Sequence, residues 1–137
     1  MIFRQPIRIE FNHCDPAGIV FYPRYFEMTN SVCQSFCREI IGHSYAEMMA
    51  RGQGLPAANI AVNFHLPSRL EEVLDWRMQV TRLGGSSLAC RLEAHCDGTH
   101  RLTADLTLVF VADGRPYPWP QELRDRITAF MEAPDEP

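Results

Sequence analysis

No stretch of this chain is long and apolar enough to cross a membrane as a helix, and the opening residues Met1-Ile2-Phe3-Arg4-Gln5-Pro6 lack the apolar core of a secretion signal. A cytoplasmic location is therefore expected, with no membrane partner. Positive charge is also scarce. Thirteen basic side chains against 17 acidic ones leave a formal charge of −4, the wrong sign for a general nucleic-acid binder. It remains compatible with an anionic small ligand met by a local basic patch. Paired cysteine motifs are missing: Cys14, Cys33, Cys37, Cys90 and Cys96 are odd in number and irregularly spaced, so reduced, buried thiols are expected rather than a disulfide framework. The triplets His13-Cys14-Asp15 and His95-Cys96-Asp97 hold metal-friendly side chains. In an extended chain, however, alternate residues face opposite ways, so neither triplet closes on an ion by itself, and no metal site is expected. There is no Gly-x-Ser-x-Gly elbow, Walker loop or dinucleotide glycine pattern; Gly84-Gly85-Ser86-Ser87 fits none of them.

What is present is ordinary for a globular domain: 46% hydrophobic and 22% charged residues. Without repeats, linkers or low-complexity tracts, residues 1–137 read as one domain, with a tail from about 133 expected to fray. Alternation from Ile7 to Phe11, within residues 3–11, predicts a first strand. Residues 24–41 predict a long helix, ended by Gly42, with a narrow polar stripe of Arg24, Glu27, Ser31, Gln34 and Arg38 and apolar cover elsewhere. A short helix over 44–51 follows, then strands over 57–66, 72–83, 86–97 and 100–112, separated by Pro67, Gly84-Gly85 and Asp97-Gly98. Three prolines, Pro116, Pro118 and Pro120, stop the sheet, and Trp119 to Met131 predicts a closing helix. This order is α+β, a five-stranded antiparallel sheet wrapped around a central helix.

The chemistry concentrates in residues 11–30. Pro16 drives Asp15 out of the helical region, Gly18 permits a tight reversal, and Pro23 suits a first helical position. One carboxylate thus sits in a turn that runs into a helix start, where orphan N–H groups and the helix dipole favour negative charge. A polarised thioester oxygen held there would gain oxyanion stabilisation, and losing one such donor typically costs about 3 kcal/mol of barrier.

The run Cys14-Asp15-Pro16-Ala17-Gly18-Ile19-Val20-Phe21-Tyr22-Pro23 closely resembles the active-site segment of the 4-hydroxybenzoyl-CoA thioesterase family, within the hot-dog-fold acyl-CoA thioesterases. The resemblance implies a hot-dog architecture over nearly the whole chain, although only residues 9–30 carry specific motifs. It implies that Asp15 acts on a thioester carbonyl, as nucleophile or as general base, with the Tyr22 backbone N–H as oxyanion donor and Gly18 and Pro23 shaping the substrate-binding loop. It also implies an acyl-CoA substrate with no separate cofactor, and a homo-oligomer, a dimer or more often a tetramer, with sites between subunits. The hydroxybenzoyl-specific enzyme has an aspartate where this chain has Asn30, which puts that particular acyl group in doubt.

Other residues read less sharply. On the helical wheel Asn30 falls among Phe26, Cys33 and Cys37, where its amide needs a partner, either nearby backbone or a ligand in an acyl pocket. His13, two residues before Asp15, would share its side of an extended strand, to tune it, to position water, or simply as a structural residue. Arg82, beside the Gly84–Ser87 hairpin, with Ser87, is a candidate for coenzyme A phosphates. Arg69, Arg91 and Arg101 are alternatives. Two competing functions remain: a hot-dog dehydratase, which would want a loop histidine and a helix acid such as Glu27, and a non-catalytic acyl-binding module, which would not need Asp15.

Overall fold

The computed structural model describes residues 1–135. Strand β1 (Phe3–Arg8) is followed by a 3-10 turn, Phe11–His13, and the Asp15 loop. Helix α1 (Pro23–Phe36) continues into a π-helical turn, Cys37–Ile41, and α2 (Tyr45–Ala50) follows with Ser44 capping its start. Then come β2 (Gln53–Gly54), β3 (Ala57–Phe64), β4 (Val73–Leu83), β5 (Ser87–Cys96), β6 (Thr99–Val109), β7 (Val111–Ala112), β8 (Arg115–Pro116) and α3 (Gln121–Glu132). The main sheet has the order β1-β4-β5-β6-β3, every neighbouring pair antiparallel; β2, β7 and β8 form a small second sheet. This is the hot-dog arrangement, with α1 as the central helix.

Strand periodicity builds the core. Leu74, Trp76 and Met78 of β4, Leu88, Cys90, Leu92 and Ala94 of β5, and Leu102, Ala104, Leu106 and Leu108 of β6 are buried, while the residues between them carry the polar outer face. Against them α1 sets Met28, Val32, Cys33 and Phe36. The Phe36 ring meets Phe3 at 5.8 Å and Phe130 of α3 at 5.1 Å, both edge-on, contacts worth about 0.5–1.5 kcal/mol each beyond burial. All five cysteines are free thiols and four of them are buried. Burial pushes the Cys37 thiol up to about 12, and a hydrogen bond with Cys33 together with burial raises Cys90 further still, so both thiols stay protonated and inert.

Two expectations need correction. The first strand, expected over residues 3–11, starts at Phe3 but stops at Arg8, and the chain has left it by Ile9. There Glu10 opens a reciprocally capped 3-10 turn in which the Glu10 N–H donates to His13 Nδ1 at 2.8 Å, leaving Phe11 84% exposed. The long helix reaches Ile41 as expected, its last turn π-helical, and it ends where Gly42 takes a left-handed conformation that a Cβ would disfavour. Finally, α1 is not apolar cover around one polar stripe. A second edge, Tyr22, Phe26 and Asn30 at four-residue spacing, is exposed, Tyr22 to 61% and Phe26 to 38%. The tail expected to fray from 133 lies partly outside the described residues.

The two outer strands of the main sheet differ. β1 has six residues and carries Pro6, which cannot donate to a neighbour. β3 has eight, Ala57-Ala58-Asn59-Ile60-Ala61-Val62-Asn63-Phe64, with no proline and no charge, and almost all are exposed. It is the unprotected edge.

Candidate active site

The Asp15 loop is a small hairpin. Cys14 bridges Val20, the Asp15 N–H donates to Ile19 O at 3.0 Å, and the Gly18 N–H returns to Asp15 O at 2.9 Å. Gly18 holds a φ of +79° to close it, the reversal its sequence context demands. Within this turn the Ala17 N–H donates to Asp15 Oδ1 at 2.9 Å. The other carboxylate oxygen, Oδ2, meets no protein donor among the described residues, and the side chain is half-buried. Asp15 is therefore held by one oxygen and offers the other.

Helix α1 begins eight residues after Asp15, at Pro23. Pro23 has no N–H, the Arg24 N–H donates to Phe21 O at 2.9 Å, and the Tyr25 N–H donates to Tyr22 O at 3.1 Å. The broad set of orphan donors expected there is thus reduced. Among the described residues, the Tyr22 N–H alone in this turn lacks an acceptor, and it lies at the positive end of the dipole. Tyr22 is singled out by hydrogen-bond accounting, a signal that residue types alone do not carry.

The loop is docked onto the segment that precedes β4. The Val20 N–H donates to Ser68 O at 2.9 Å, Ile19 bridges Arg69, and Ile9 and residues 71–72 exchange backbone bonds at 2.7 and 2.8 Å. That segment is in turn clamped by Arg101. This buried guanidinium makes a two-pronged contact with Glu72, at 3.0 and 2.9 Å, and also donates to Ser68 Oγ and Pro67 O, each at 3.1 Å. Hydrogen bonds from Arg101 hold the Glu72 carboxyl at about 2, outweighing a desolvation effect of opposite sign. Arg101 is thus engaged within the fold and has no fork left for a ligand. The clamp was not foreseen, since its two members lie 29 positions apart and neither belongs to a local motif.

His13 does not extend a strand beside Asp15; it ends the 3-10 turn, with its Nδ1 occupied by the Glu10 N–H. Arg91 pairs with Asp105 at 2.9 Å on the outer face of the sheet. Arg82 and Ser87 lie at the far end of β4, whose 11 residues span about 33 Å at ~3.3 Å each, so one chain does not bring them to Asp15. Arg69 is different. It is exposed, and its Nη1 lies 4.0 Å from the position a Cβ on Gly18 would occupy, which puts it against the Asp15 loop.

Three cavities surround the start of α1. One of about 250 Å³ is lined by Ile19, Val20, Tyr22, Tyr25, Phe64 and the His65–Pro67 segment. One of about 260 Å³ lies between Asn30, α2 and residues 53–56. Asn30 is therefore not packed in the core but opens on an apolar pocket with Tyr45, Met48, Met49 and Leu55. The third, about 460 Å³, places His13 and Glu27 on one wall system with Gln5, Arg8 and Ser31. Asp15 lines none of the three.

Comparison with known proteins bears on the family and the fold. A model of the thioesterase superfamily matches residues 17–103. The chain is similar to the acyl-CoA thioester hydrolase YbgC of Escherichia coli O6:H1, 24% identical over 89 residues; it spans 64% of the length of that curated relative, and the match covers 64% of this chain. Among solved structures, the BH1999 gentisyl-coenzyme A thioesterase superposes with a TM-score of 0.85 at 22% identity, covering 91% of this chain and 99% of that one. The protein SAV2348 from Staphylococcus aureus, solved in complex with CoA, gives 0.90 at 14% identity over 100% and 90%. At these identities the superpositions speak to fold.

Proposed function

The chain belongs to the thioesterase superfamily, and from that premise we propose that it hydrolyses an acyl-CoA thioester to free coenzyme A and a carboxylic acid. The reading rests on one observation above the others: a carboxylate with one unengaged oxygen, in a turn leading to a helix start whose single unsatisfied N–H is that of Tyr22. Asp15 either attacks the thioester carbonyl, expelling the thiolate and leaving a mixed anhydride that water cleaves, or removes a proton from the attacking water. Both routes need its charge. The Tyr22 N–H receives the oxygen as it becomes anionic. Coenzyme A enters as part of the substrate, and neither route calls on a metal or redox cofactor. The acyl group, aromatic or short to medium in length, reaches toward Asn30 and its apolar pocket, and Arg69, exposed against the Asp15 loop, is a cation for coenzyme A phosphates. Arg82 and Ser87 would serve only if a neighbouring chain brought them close.

A second copy completes this reading. The bare β3 edge and the exposed Tyr22-Phe26-Asn30 edge of α1 suit pairing across a two-fold axis, so a homodimer, or a tetramer of two such pairs, would enclose the site. Light scattering should give a multiple of 15.7 kDa; a fully active single chain would overturn the shared site. The catalytic proposal is tested by thiol release across aliphatic, aromatic and carrier-protein thioesters. Asp15→Asn should fold normally and lose about 10³-fold or more in turnover, and near-normal turnover would remove Asp15 from the mechanism and leave a binding module as the alternative.

One observation favours a dehydratase as the second reading: His13 and Glu27 share a cavity. Against it, Glu27 is bound to Arg24 at 2.6 Å. Loss of enoyl-thioester absorbance on hydration, abolished by Glu27→Gln, would select it.

A further inference from the structure

On the outer face of the sheet, a bulge puts two histidines directly opposite each other. The pairing of β5 with β6 shifts after Ala94, so that Ala94 faces Leu102 but His95 faces His100, with Arg101 displaced into its clamp. The two imidazole rings lie parallel, 4.5 Å apart. Their Nε2 atoms approach the same carboxylate oxygen, Glu93 Oε1, at 3.0 Å from His95 and 3.3 Å from His100. His65, arriving from the end of β3, packs its ring 4.5 Å from that of His100, and both rings touch Thr103 Oγ1, at 3.1 and 2.9 Å.

The hydrogen count does not match the acceptors. His100 Nε2 lies within 3.3 Å of three oxygens, Glu93 Oε1, Leu102 O and Thr103 Oγ1, while a ring nitrogen carries at most one hydrogen. An ion bound at about 2.1 Å to two nitrogens and a carboxylate oxygen spaces its ligands by roughly 3.0–3.4 Å, the spacing of cis octahedral or tetrahedral donors. The two nitrogen–oxygen separations fall in that range, and the donor atoms of Glu93, His95 and His100 all lie within 4.8 Å of one another. The nearby Arg77 is taken up by Asp75 at 2.9 Å.

A second cluster of candidate ligands among the described residues, Glu72 with Cys96 and Asp97, makes the contrast. There the protein supplies its own buried cation, Arg101, and leaves no room for another. The Glu93 cluster has imidazoles where that one has a guanidinium.

We propose that Glu93, His95 and His100 bind a divalent ion of borderline softness, of the zinc class, whose preferred ligands are imidazole and carboxylate. His65 packs against the His100 ring and steadies it, and the Thr103 hydroxyl would yield its contact with His100 Nε2 to the ion. The ion would join β5 to β6 at the closed end of their hairpin, on the face opposite the core.

Zn2+ titration of the full chain by calorimetry, with Co2+ substitution followed by electronic spectroscopy, is the test. One ion per chain should bind, raising Tm, and Co2+ should show d–d bands of a nitrogen and oxygen site. Removing an outer partner alone costs such sites about 10–100-fold in affinity; His95→Ala with His100→Ala should cost at least that, and the near-isosteric Glu93→Gln should also weaken binding with its fold intact. Thioester turnover without added metal should be unchanged in both variants. No binding at ~100 µM Zn2+, unchanged affinity in Glu93→Gln, or intense thiolate-to-cobalt absorption pointing to a cysteine would each overturn the assignment.

Discussion

The two ends of the main sheet are finished in opposite ways. At the hairpin end nearly every exposed carbonyl has a donor. Gly84 O and Gly85 O both receive Arg124, Gly85 O also takes the Trp119 N–H, Ser86 O takes Phe110, and Ser87 O takes both the Gly84 N–H and Trp119 Nε1. The stacked pair Phe110 and Trp119, 4.8 Å apart, seals this end from below. At the Asp15 end the backbone is fastened only up to the loop, and beyond it a carboxylate oxygen and an amide stay unengaged beside exposed aromatic rings. Unsatisfied polar groups are costly in a finished fold. The unengaged Asp15 oxygen and Tyr22 amide are the groups on which the proposed site rests, whereas the hairpin end is tied down by its own donors.

The contrast can be broken experimentally. The largest stability effect should come from the saturated end: Trp119→Ala removes a ring only 4% exposed and should cost about 3–5 kcal/mol in denaturant unfolding, with turnover per folded molecule nearly unchanged. A comparable loss of turnover would mean the ends are coupled. The clamp beneath the loop should give a smaller effect, visible only in acid. The Glu72 carboxyl sits near 2 in the fold against an ordinary 4.5, so the unfolded chain binds the proton more readily, and the clamp's stabilisation is complete above about pH 4.5 and is lost as the pH falls toward 2. Glu72→Gln should flatten that acid slope; an unchanged slope would show that the Arg101 fork does not report on stability. Smallest of all, Asn30→Ala should leave stability alone and shift the ratio of kcat/KM between aromatic and aliphatic substrates by about tenfold. Equal parameters across the panel would make Asn30 part of the scaffold.

Much of this was readable from residue order. Alternation in residues 72–112 locates three long strands, because each has one wet face, and Pro23 and Gly42 bracket the helix by their backbone preferences alone. The Asp15 turn is legible for the same reason, since Asp-Pro and a glycine three residues on leave few conformations. What stayed hidden depends on register and on distant partners. The helical wheel assigns Asn30 to the apolar side, yet it cannot know that no strand or helix closes over the Tyr22–Asn30 edge. Alternation through Phe11 looked like a strand until the Glu10 and His13 caps, a local exchange of two bonds, turned the chain away. The pairing of Glu72 with Arg101, and of His95 with His100, follows from strand register and a one-residue bulge that no composition encodes.

The inequality of the sheet's two borders has a further consequence for how these molecules can accumulate. Pro6 deprives one border of a donor while the other, free of proline and charge, can be extended. A sheet with a single usable border can be continued once, and the copy that continues it presents its own blunted side outward. If copies pair through β3, growth by strand pairing terminates at two chains instead of propagating into a fibre.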